Sequence, residues 1–491
     1  MSSDFVVVAN RLPVDRSTDP DTGESTWTPS PGGLVTALRP VLQANDGAWV
    51  GWPGSTDEVT ADELPSAEET GLTLLPVNLS AEDFEKFYEG FSNATLWPLY
   101  HDLIVPPTFN RDWWDRYQDV NKRFAEAASA EAAEGATVWV QDYQLHLVPG
   151  QLRAKRDDVC IGFFLHIPFP SPELFRQMPW RTSVLEGTLG ADVIGFHTQD
   201  SARNFMLTLR ALGYEVTIQD SSDSATYLRG ARLPEEGHIV GTVELEDGRS
   251  VKVGAFPISI DSAQVNAKAN DPEVMAVAAD LRAQLGHPKL LIAGVDRLDY
   301  TKGILQRLEA LEYLLDSGKL NAEDVVMVQV ATPSRERLDD YQRTREMVEQ
   351  TVSRINGNHG SLGRSVVQYR HSGLPFEQIV GLYAAADIML VTPLKDGMNL
   401  VAKEYVACHS DGSGALVLSE FAGAATQLVQ AYLCNPHDVE SIAAAVMRAV
   451  EDDPAKRKER MEQMWEHTRD NDVDRWAATF LEQLRSIDPE R

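Results

Sequence analysis

Residues 396–404 (DGMNLVAKE) place two carboxylates on a short glycine-containing loop and on the helix expected to follow it. They come directly after residues 386–391, an apolar run typical of a buried parallel strand. A helix that starts at the carboxyl edge of a sheet presents unpaired backbone N–H groups, which bind phosphates. A carboxylate is a better partner for vicinal hydroxyls. The segment therefore predicts a nucleotide-sugar site; the alternative is a capped helix with a solvated acidic side chain.

Basic side chains follow other strand-like runs. Arg297 and Lys302 lie in the stretch VDRLDYTKG after one run, and Arg335 follows the next. Arg11 follows the first apolar run of the chain. Arginine offers a bidentate fork and lysine a point charge, so such residues can converge on one anion. Each alone is equally typical of a surface salt bridge, but the repeated position at strand ends predicts an anionic ligand.

Four further residues could contact such a ligand. His166 ends the run 161–165 and is followed by two nearby prolines, and Asp142 ends another run. A satisfied core residue is the alternative for both. Gly32 and Gly33 allow a close backbone approach to a phosphate, although paired glycines are also typical of a plain turn. No Gly-x-Gly-x-x-Gly follows a predicted strand, which argues against a dehydrogenase.

The elements that must position these residues alternate strand and helix along both halves of the chain. This rhythm predicts an α/β protein with two doubly wound, Rossmann-like domains facing across a cleft. The domain boundaries are predicted at residues 1–258 for the N-terminal domain and 259–472 for the C-terminal domain. Residues 473–491 are predicted to form a terminal helix that packs back on the N-terminal domain.

Composition narrows the class of partner. The chain has 491 residues, 43% of them apolar, and a formal net charge of −30, which argues against nucleic acid or an anionic membrane. No apolar run approaches the roughly 20 residues of a membrane span, and the first residues do not read as a signal peptide. Three scattered cysteines suit a reducing cytoplasm. Cys408 and His409 lack a second ligand pair nearby, so no metal is predicted.

Several motifs together resemble one enzyme family, the trehalose-6-phosphate synthases, which are retaining glucosyltransferases of GT-B type with two Rossmann-like domains. The motifs run in order from the first strand to the second half of the chain. They are NRLP at 10–13, Gly32-Gly33, YEGFSNATLWP at 88–98, FFLHIPFP at 163–170, RLDYTKG at 297–303, Arg335, and DGMNLVAKE at 396–404.

The resemblance implies transfer of glucose from a nucleoside-diphosphate glucose, such as UDP-glucose, to glucose 6-phosphate with retention, giving α,α-trehalose 6-phosphate. It implies no cofactor and no metal. It also implies a cytoplasmic homo-oligomer, of which a tetramer is one form.

The resemblance further implies roles for individual residues. The catalytic residues are Asp396, His166, Arg297 and Lys302. The donor-binding residues are Gly32, Gly33, Arg297, Lys302, Leu374, Asp396, Gly397, Met398, Asn399, Leu400, Val401, Ala402, Lys403 and Glu404. The acceptor-binding residues are Arg11, Tyr88, Trp97, Asp142 and Arg335.

The chain departs from the family pattern in two places. Residues 141–144 read Gln-Asp-Tyr-Gln where the family has His-Asp-Tyr-His, and an aromatic residue at the nucleotide base is replaced near Leu374. The second departure leaves uridine, adenosine and guanosine donors open.

Three other functions remain as alternatives. One is the same chemistry on another phosphorylated acceptor, such as glycerol 3-phosphate. Another is a non-catalytic regulatory homologue that binds sugar phosphates, although Asp396, Arg297 and Lys302 are all retained. The third is a phosphorylase that carries pyridoxal phosphate, which needs a Schiff-base lysine.

Overall fold

The computed structural model describes residues 2–18, 25–30, 35, 38, 42, 47–219 and 237–487. These residues divide into two compact units. The first contains the described residues up to 219, those from 237 to 258, and those from 474 onward. The second contains residues 259–473. Within the described ranges, no helix is long and apolar enough to cross a membrane.

The first unit is built on a mostly parallel sheet. Its strands are β1 (Ser3–Arg11), β2 (Val14–Thr18), β3 (Ser25–Pro29), β4 (Ala48–Trp52), β5 (Thr73–Pro76), β6 (Ala132–Gln141), β7 (Cys160–Leu165), β8 (Val193–Phe196), β9 (Glu215–Ile218), β10 (His238–Glu244) and β11 (Ser250–Ala255). The order in the main sheet is β5-β4-β1-β6-β7-β8-β11-β10-β9, and β10 runs antiparallel to both of its neighbours. β2 and β3 pair as a separate antiparallel hairpin. The chain leaves β1 towards β4 and β5 and returns to β6 on the other side, so the topological switch point lies between β1 and β6.

The helices of the first unit connect and cover these strands. They are α1 (Ala67–Thr70), α2 (Ala81–Asp83), α3 (Trp97–Tyr100), α4 (Arg111–Glu131), α5 (Val148–Arg153), α6 (Pro172–Phe175), α7 (Arg181–Thr188) and α8 (Gln199–Ala211). Between α2 and α3, residues Phe84–Leu96 form a π-helix. Such wide turns are rare and recur at functional sites. This one carries Tyr88 and ends next to Trp97.

The second unit has the strand order of a dinucleotide-binding fold. Its strands are β12 (Leu290–Arg297), β13 (Val325–Thr332), β14 (Val367–Arg370), β15 (Ile388–Val391), β16 (Leu416–Ser419) and β17 (Tyr432–Cys434). Its helices are α9 (Ser262–Ala269), α10 (Pro272–Gln284), α11 (Ile304–Asp316), α12 (Asp339–His359), α13 (Phe376–Ala385), α14 (Leu400–Cys408), α15 (Val439–Glu451) and α16 (Pro454–Asp470). The sheet order β14-β13-β12-β15-β16-β17 is parallel throughout and places the switch point between β12 and β15.

The terminal helix, α17 (Val473–Arg485), packs against the sheet of the first unit. The Phe480 ring stacks on Trp139 of β6 with centroids 4.7 Å apart. Gly162 of β7 and Gly195 of β8 leave room for that ring, because a Cβ at either position would lie 2.8 Å from it. The two glycines therefore allow the helix to lie close to the strands.

The predicted α/β class with two doubly wound, Rossmann-like units is confirmed. The apolar runs of β7 and β15 end where the sequence predicted. The sequence did not predict the strands β2, β3, β4, β5, β9, β14 and β17. The last of these has only three residues, Tyr-Leu-Cys, too few to show a period.

Candidate functional site

Lys302 and Asp396 meet at the switch point of the second unit. Lys302 closes a 3₁₀ turn that follows β12, and Asp396 lies on the loop that follows β15. Lys302 Nζ and Asp396 Oδ2 are 2.6 Å apart, and the side chains are 11% and 13% exposed. Asn399 Nδ2 also donates to Asp396 Oδ2, at 3.0 Å. The pair thus stands where doubly wound sheets bind their ligands, and both charges reach solvent.

Backbone hydrogen bonds fix the loop that carries Asp396. The Asp396 N–H donates to the Phe421 carbonyl, and the Gly423 N–H donates back to the Asp396 carbonyl, each at 3.2 Å. A Cβ on Gly423 would lie 1.9 Å from the Gly397 carbonyl oxygen, so the close approach of the two loops requires glycine there. Asp396 is therefore held by its backbone as well as by Lys302.

Helix α14 begins immediately after this loop. Asn399 occupies its N-cap position with a left-handed φ of 72°, and no side chain in the described part of the chain caps the helix. The first N–H groups of α14 and the positive end of its dipole can therefore bind an anion. Within residues 397–404, Gly397, Met398, Ala402 and Lys403 are buried, and Asn399, Leu400, Val401 and Glu404 are partly buried.

Arg307 of α11 is fully buried beneath the switch point. Its guanidinium donates to Asp296 Oδ2 at 2.7 Å, to Thr392 Oγ1 at 3.0 Å and to the Lys302 carbonyl at 2.9 Å. It also donates to Gln329 Oε1 at 3.3 Å. Burial raises the pKa of Asp296, and the charge of Arg307 opposes that shift. Arg307 therefore connects β12, β13, the turn of Lys302 and the loop after β15 through hydrogen bonds.

Arg335 lies in a second buried ion pair. It is 4% exposed and donates to Asp299 Oδ2 at 3.4 Å, while the Tyr341 hydroxyl donates to the same oxygen at 3.0 Å. Burial alone would raise the pKa of Asp299, but the charges of Arg335, Arg297 and Lys302 lower it to about 2. An anion that binds to Arg335 would therefore share the guanidinium group with the Asp299 carboxylate.

The other predicted donor residues of this unit differ in environment. Arg297, the last residue of β12, is exposed. Glu404 Oε2 accepts a hydrogen bond from the Tyr383 hydroxyl at 3.0 Å. Burial raises the pKa of Glu404, and that hydrogen bond opposes the shift. Leu374 lines a cavity of about 560 Å³ together with Val328 and Arg370, and neither Lys302 nor Asp396 lines that cavity.

The switch point of the first unit opens into a cavity of about 370 Å³. It is lined by Asn10 and Arg11 at the end of β1, by Gln141 and Asp142 at the end of β6, and by Tyr88 of the π-helix. The structure thus brings together Arg11, Tyr88 and Asp142, three of the predicted acceptor residues. These residues come from segments distant in sequence that the topology places at one sheet edge.

Several carboxamides at this cavity have an atom without a hydrogen-bond partner. Asn10 Oδ1, Gln141 Nε2 and Gln144 Oε1 are all buried and find no partner among the described residues. All three residues line the cavity and are at least nine-tenths buried. Buried polar atoms are normally satisfied, so three exceptions around one cavity indicate a polar ligand. Hydroxyl groups, which both donate and accept, match this mixture of oxygen and nitrogen atoms.

Arg11 and Asp142 are held by local contacts. Arg11 Nη2 lies 2.6 Å from Asp15 Oδ1, and its guanidinium lies 5.1 Å from the centroid of the Trp52 ring. Asp142 has a φ of 72°, a conformation that costs a non-glycine residue energy and often marks a functional position. Its Oδ1 accepts hydrogen bonds from the Tyr143 N–H and the His166 N–H.

His166, at the end of β7, contacts the cavity wall through Gln141. Its Nε2 lies 2.8 Å from Gln141 Oε1, and its ring packs beside His197 and Trp476. Burial, and then the nearby His197, lowers the pKa of His166 well below its usual value of 6.5. His166 is therefore neutral at physiological pH. Trp97 is buried and packs against Tyr143.

Gly32 and Gly33 lie outside the described residues. Sequence reasoning did not assign roles to Arg307, Asp299 or Asn10. The sequence did carry a signal for Arg307, because this arginine lies on the apolar face of α11, where a charged side chain is expected to be buried and paired. Across the described ranges, no group of three or more His, Cys, Asp or Glu residues could hold a metal ion.

The Rossmann strand order, with a lysine–carboxylate pair and the uncapped helix α14 at its switch point, is typical of a site that binds a phosphorylated ligand. Glycosyltransferase family 20 matches residues 3–486, and the chain belongs to this family of glycosyltransferases.

Known proteins resemble the chain over its full length. It is 54% identical over 490 residues to a trehalose-6-phosphate synthase of Mycolicibacterium gilvum, covering 99% of this chain and 94% of the relative. An Escherichia coli structure bound with UDP-2-fluoro glucose is 32% identical, with a TM-score of 0.85 and 99% of each chain covered. A UDP-forming α,α-trehalose-phosphate synthase of Burkholderia xenovorans in complex with glucose-6-phosphate is 31% identical, with a TM-score of 0.84 and coverage of 98% and 100%.

Proposed function

We propose that this chain transfers glucose from a nucleoside-diphosphate glucose to glucose 6-phosphate with retention, forming α,α-trehalose 6-phosphate. The observation that carries this proposal is the Lys302–Asp396 pair at the second unit's switch point, beside the start of α14. A phosphate needs cations and N–H groups, whereas a glucosyl group needs a carboxylate for its hydroxyls. Both kinds of partner stand next to each other here, which suits a ligand that carries a phosphate and a sugar together.

The roles within this site follow from that chemistry. Lys302, Arg297 and the first N–H groups of α14 bind the diphosphate and stabilise the negative charge that develops as it leaves. Asp396 accepts hydrogen bonds from the glucosyl hydroxyls. Glu404, whose Oε2 is held by Tyr383, accepts from the ribose.

The acceptor is assigned to the first unit's cavity. Its volume of about 370 Å³ accommodates a hexose phosphate, and its unpaired carboxamide atoms suit a polyhydroxylated ring. Arg11, whose side chain is 42% exposed, supplies a guanidinium for the phosphate, and Asp142 supplies a carboxylate for hydroxyls. Arg335 is a further proposed ligand of the acceptor phosphate, and its guanidinium group also pairs with Asp299.

Retention is proposed to occur by attack on the face from which the diphosphate departs. The departing phosphate oxygen takes the proton of the acceptor hydroxyl, so the protein supplies positioning and charge and no separate base. A retaining glycosidase mechanism would instead need two carboxyl groups about 5 Å apart across the scissile bond. Asp396 is paired with Lys302 and is assigned to binding hydroxyls, so it is not proposed as a nucleophile.

The test is a panel of donors and acceptors with the purified protein. UDP-, ADP- and GDP-glucose would each be combined with glucose 6-phosphate, glucose and glycerol 3-phosphate, and nucleoside diphosphate release would be measured. We expect turnover with glucose 6-phosphate and at least one donor, and little with glucose. Faster turnover with glycerol 3-phosphate would show that the acceptor is wrong, and binding without any turnover would identify a regulatory homologue.

A further inference from the structure

Gln141 connects the first unit's cavity to His166. The residue is 0% exposed at the carboxyl end of β6, and its Oε1 lies 2.8 Å from His166 Nε2. Its own Nε2 has no hydrogen-bond partner among the described residues, although the side chain lines the cavity. One end of the carboxamide therefore engages the histidine, and the other end is left for a ligand.

This contact determines where the proton of His166 lies. With the Gln141 oxygen facing the ring, His166 donates through Nε2–H, because a carboxamide oxygen only accepts hydrogen bonds. A neutral imidazole carries one proton, and its Nδ1 therefore keeps a lone pair. Within the described ranges, Nδ1 makes no hydrogen bond that the structure records.

The surroundings of His166 favour the neutral ring. The ring packs against Phe164, with centroids 4.7 Å apart, and lies 5.2 Å from His197 and 6.0 Å from Trp476. Asp142 Oδ1 accepts a hydrogen bond from the backbone N–H of His166. Its Oδ1 is thus engaged by main-chain donors and not by the imidazole.

We propose that Gln141 is a positioning residue that fixes His166 as the Nε2–H tautomer, so that His166 Nδ1 accepts a hydrogen bond from a substrate hydroxyl while the Gln141 amide donates to the same bound ligand. This inference rests on the proposed function for the nature of that ligand, a sugar. It assigns Gln141 to the substrate-binding machinery, and it makes His166 a hydrogen-bond acceptor that does not act as a cation or as an acid.

The tautomer can be measured without turnover. The full-length protein would be labelled with ¹⁵N-histidine, and the His166 signals would be identified by their loss in His166→Gln. We expect a protonated Nε2 and an unprotonated Nδ1 throughout pH 6 to 8. In Gln141→Leu, which removes the acceptor but keeps the volume, the ring should become a mixture of tautomers. An Nδ1–H tautomer in the parent, or an unchanged spectrum in Gln141→Leu, would overturn the proposal.

Two further variants guard against a merely structural effect. Gln141→Glu keeps the shape but places a carboxylate on Nε2–H, which favours the imidazolium, so the pKa of His166 should rise by at least about one unit. Gln144→Leu removes a carboxamide from the same cavity without touching His166, and should leave its tautomer and pKa unchanged. If Gln144→Leu shifts the His166 signals as much as Gln141→Leu does, the effect is general to the cavity and the proposal fails.

The ligand contact is tested with the two proposed substrates, UDP-glucose and glucose 6-phosphate, added separately. At least one should move the Nδ1 resonance of the parent in the direction of hydrogen bonding. Gln141→Leu should lower kcat/KM about tenfold, the loss expected for one hydrogen bond at a buried site. A tautomer that depends on Gln141, without any shift on adding either substrate, would refute the ligand contact. Absence of turnover in the parent would instead count against the proposed function alone.

Discussion

Three ion pairs surround the switch point of the second unit, and they differ in how deeply each cation is buried. The Arg307 side chain is 0% exposed, Arg335 is 4% and Lys302 is 11%. A buried pair that loses one partner leaves an uncompensated charge, whereas a partly solvated pair can exchange its partner more easily. Lys302 is therefore the cation of the three that a phosphate can most readily recruit from its carboxylate.

Asp396→Ala should separate sugar transfer from nucleotide binding. The change removes the carboxylate assigned to the glucosyl hydroxyls and releases Lys302, so transfer should fall about a hundredfold or more while nucleoside diphosphate still binds. Calorimetry with the free nucleoside diphosphate and steady-state kinetics measure the two effects. Lys302→Ala is the matched control and should weaken nucleoside diphosphate binding. If Asp396→Ala abolishes that binding, the carboxylate acts on the nucleotide and its assigned role is wrong.

Arg11→Ala and Arg335→Ala should each raise the KM for glucose 6-phosphate about tenfold or more, because each removes a charge-assisted hydrogen bond to the phosphate. Both variants should show a smaller ratio of kcat/KM for glucose 6-phosphate to kcat/KM for unphosphorylated glucose. The two should differ in stability, since only Arg335 leaves a buried carboxylate, Asp299, without its cation. Thermal unfolding would show a lower Tm for Arg335→Ala alone. Two variants that keep the parent's preference would show that these arginines are ordinary salt-bridge residues.

Arg307 is the residue through which the elements of the second unit hold the site. Arg307→Met should destabilise the unit by about 3–5 kcal/mol, because Asp296 would remain buried without its partner. Adding Asp296→Asn to Arg307→Met should recover part of that loss, because it removes the buried negative charge. Urea unfolding of the two variants and the parent measures the effect. A loss below about 1 kcal/mol in Arg307→Met would mean that the network does not support the site.

His146 links two helices of the first unit, and it should make the stability of that unit depend on pH. Its ring nitrogens bond to Tyr100 of α3 and Thr188 of α7, and burial lowers its pKa from 6.5 to about 3. Below pH 6.5 His146 binds a proton in the unfolded chain but stays neutral in the folded chain. The free energy of unfolding should therefore fall as the pH drops from about 6.5 towards 3, by up to about 1.4 kcal/mol per pH unit. His146→Gln should show a correspondingly shallower fall; an identical slope in both proteins would contradict this.

The sequence could predict elements but not the contacts between distant ones. The apolar run of β15 identifies its own strand, because burial on both faces leaves a continuous hydrophobic signal. The π-helix Phe84–Leu96 differs from an α-helix in its i→i+5 hydrogen bonds and wider turn, and 13 residues are too few for the apolar pattern to reveal this difference. Lys302 and Asp396 were predicted as separate ligands, and their pairing across 94 positions follows from strand order alone.

The site in the first unit shows the same limit. Gln141 was noticed as a departure from a family pattern, but its contact with His166 joins the ends of two strands. The sequence carries no signal for unpaired buried atoms, since these depend on how neighbouring side chains pack. Arg335 was expected to offer its charge to a ligand, and its burial against Asp299 could not be read from a strand-end position.

At the scale of the whole molecule, the proposed function requires a chain of net charge −30 to bind two anionic substrates. Under that proposal, the local cations Lys302 and Arg297 offset the long-range repulsion and neutralise the diphosphate in place of a metal ion. We therefore predict that turnover persists after exhaustive chelation. Assays with EDTA-treated protein and metal-free buffers would check this. A large loss of activity that magnesium restores would contradict the assignment of Lys302 and Arg297 as the charge-stabilising groups.

The most direct test of the central claim is the structure of the product formed from a nucleoside-diphosphate glucose and ¹³C-labelled glucose 6-phosphate. NMR of the purified product reports the linkage and the configuration of both anomeric carbons. The account predicts a single 1→1-linked disaccharide phosphate in which both anomeric centres are α. A β configuration at the transferred glucose, a different linkage, or release of free glucose without transfer would contradict it.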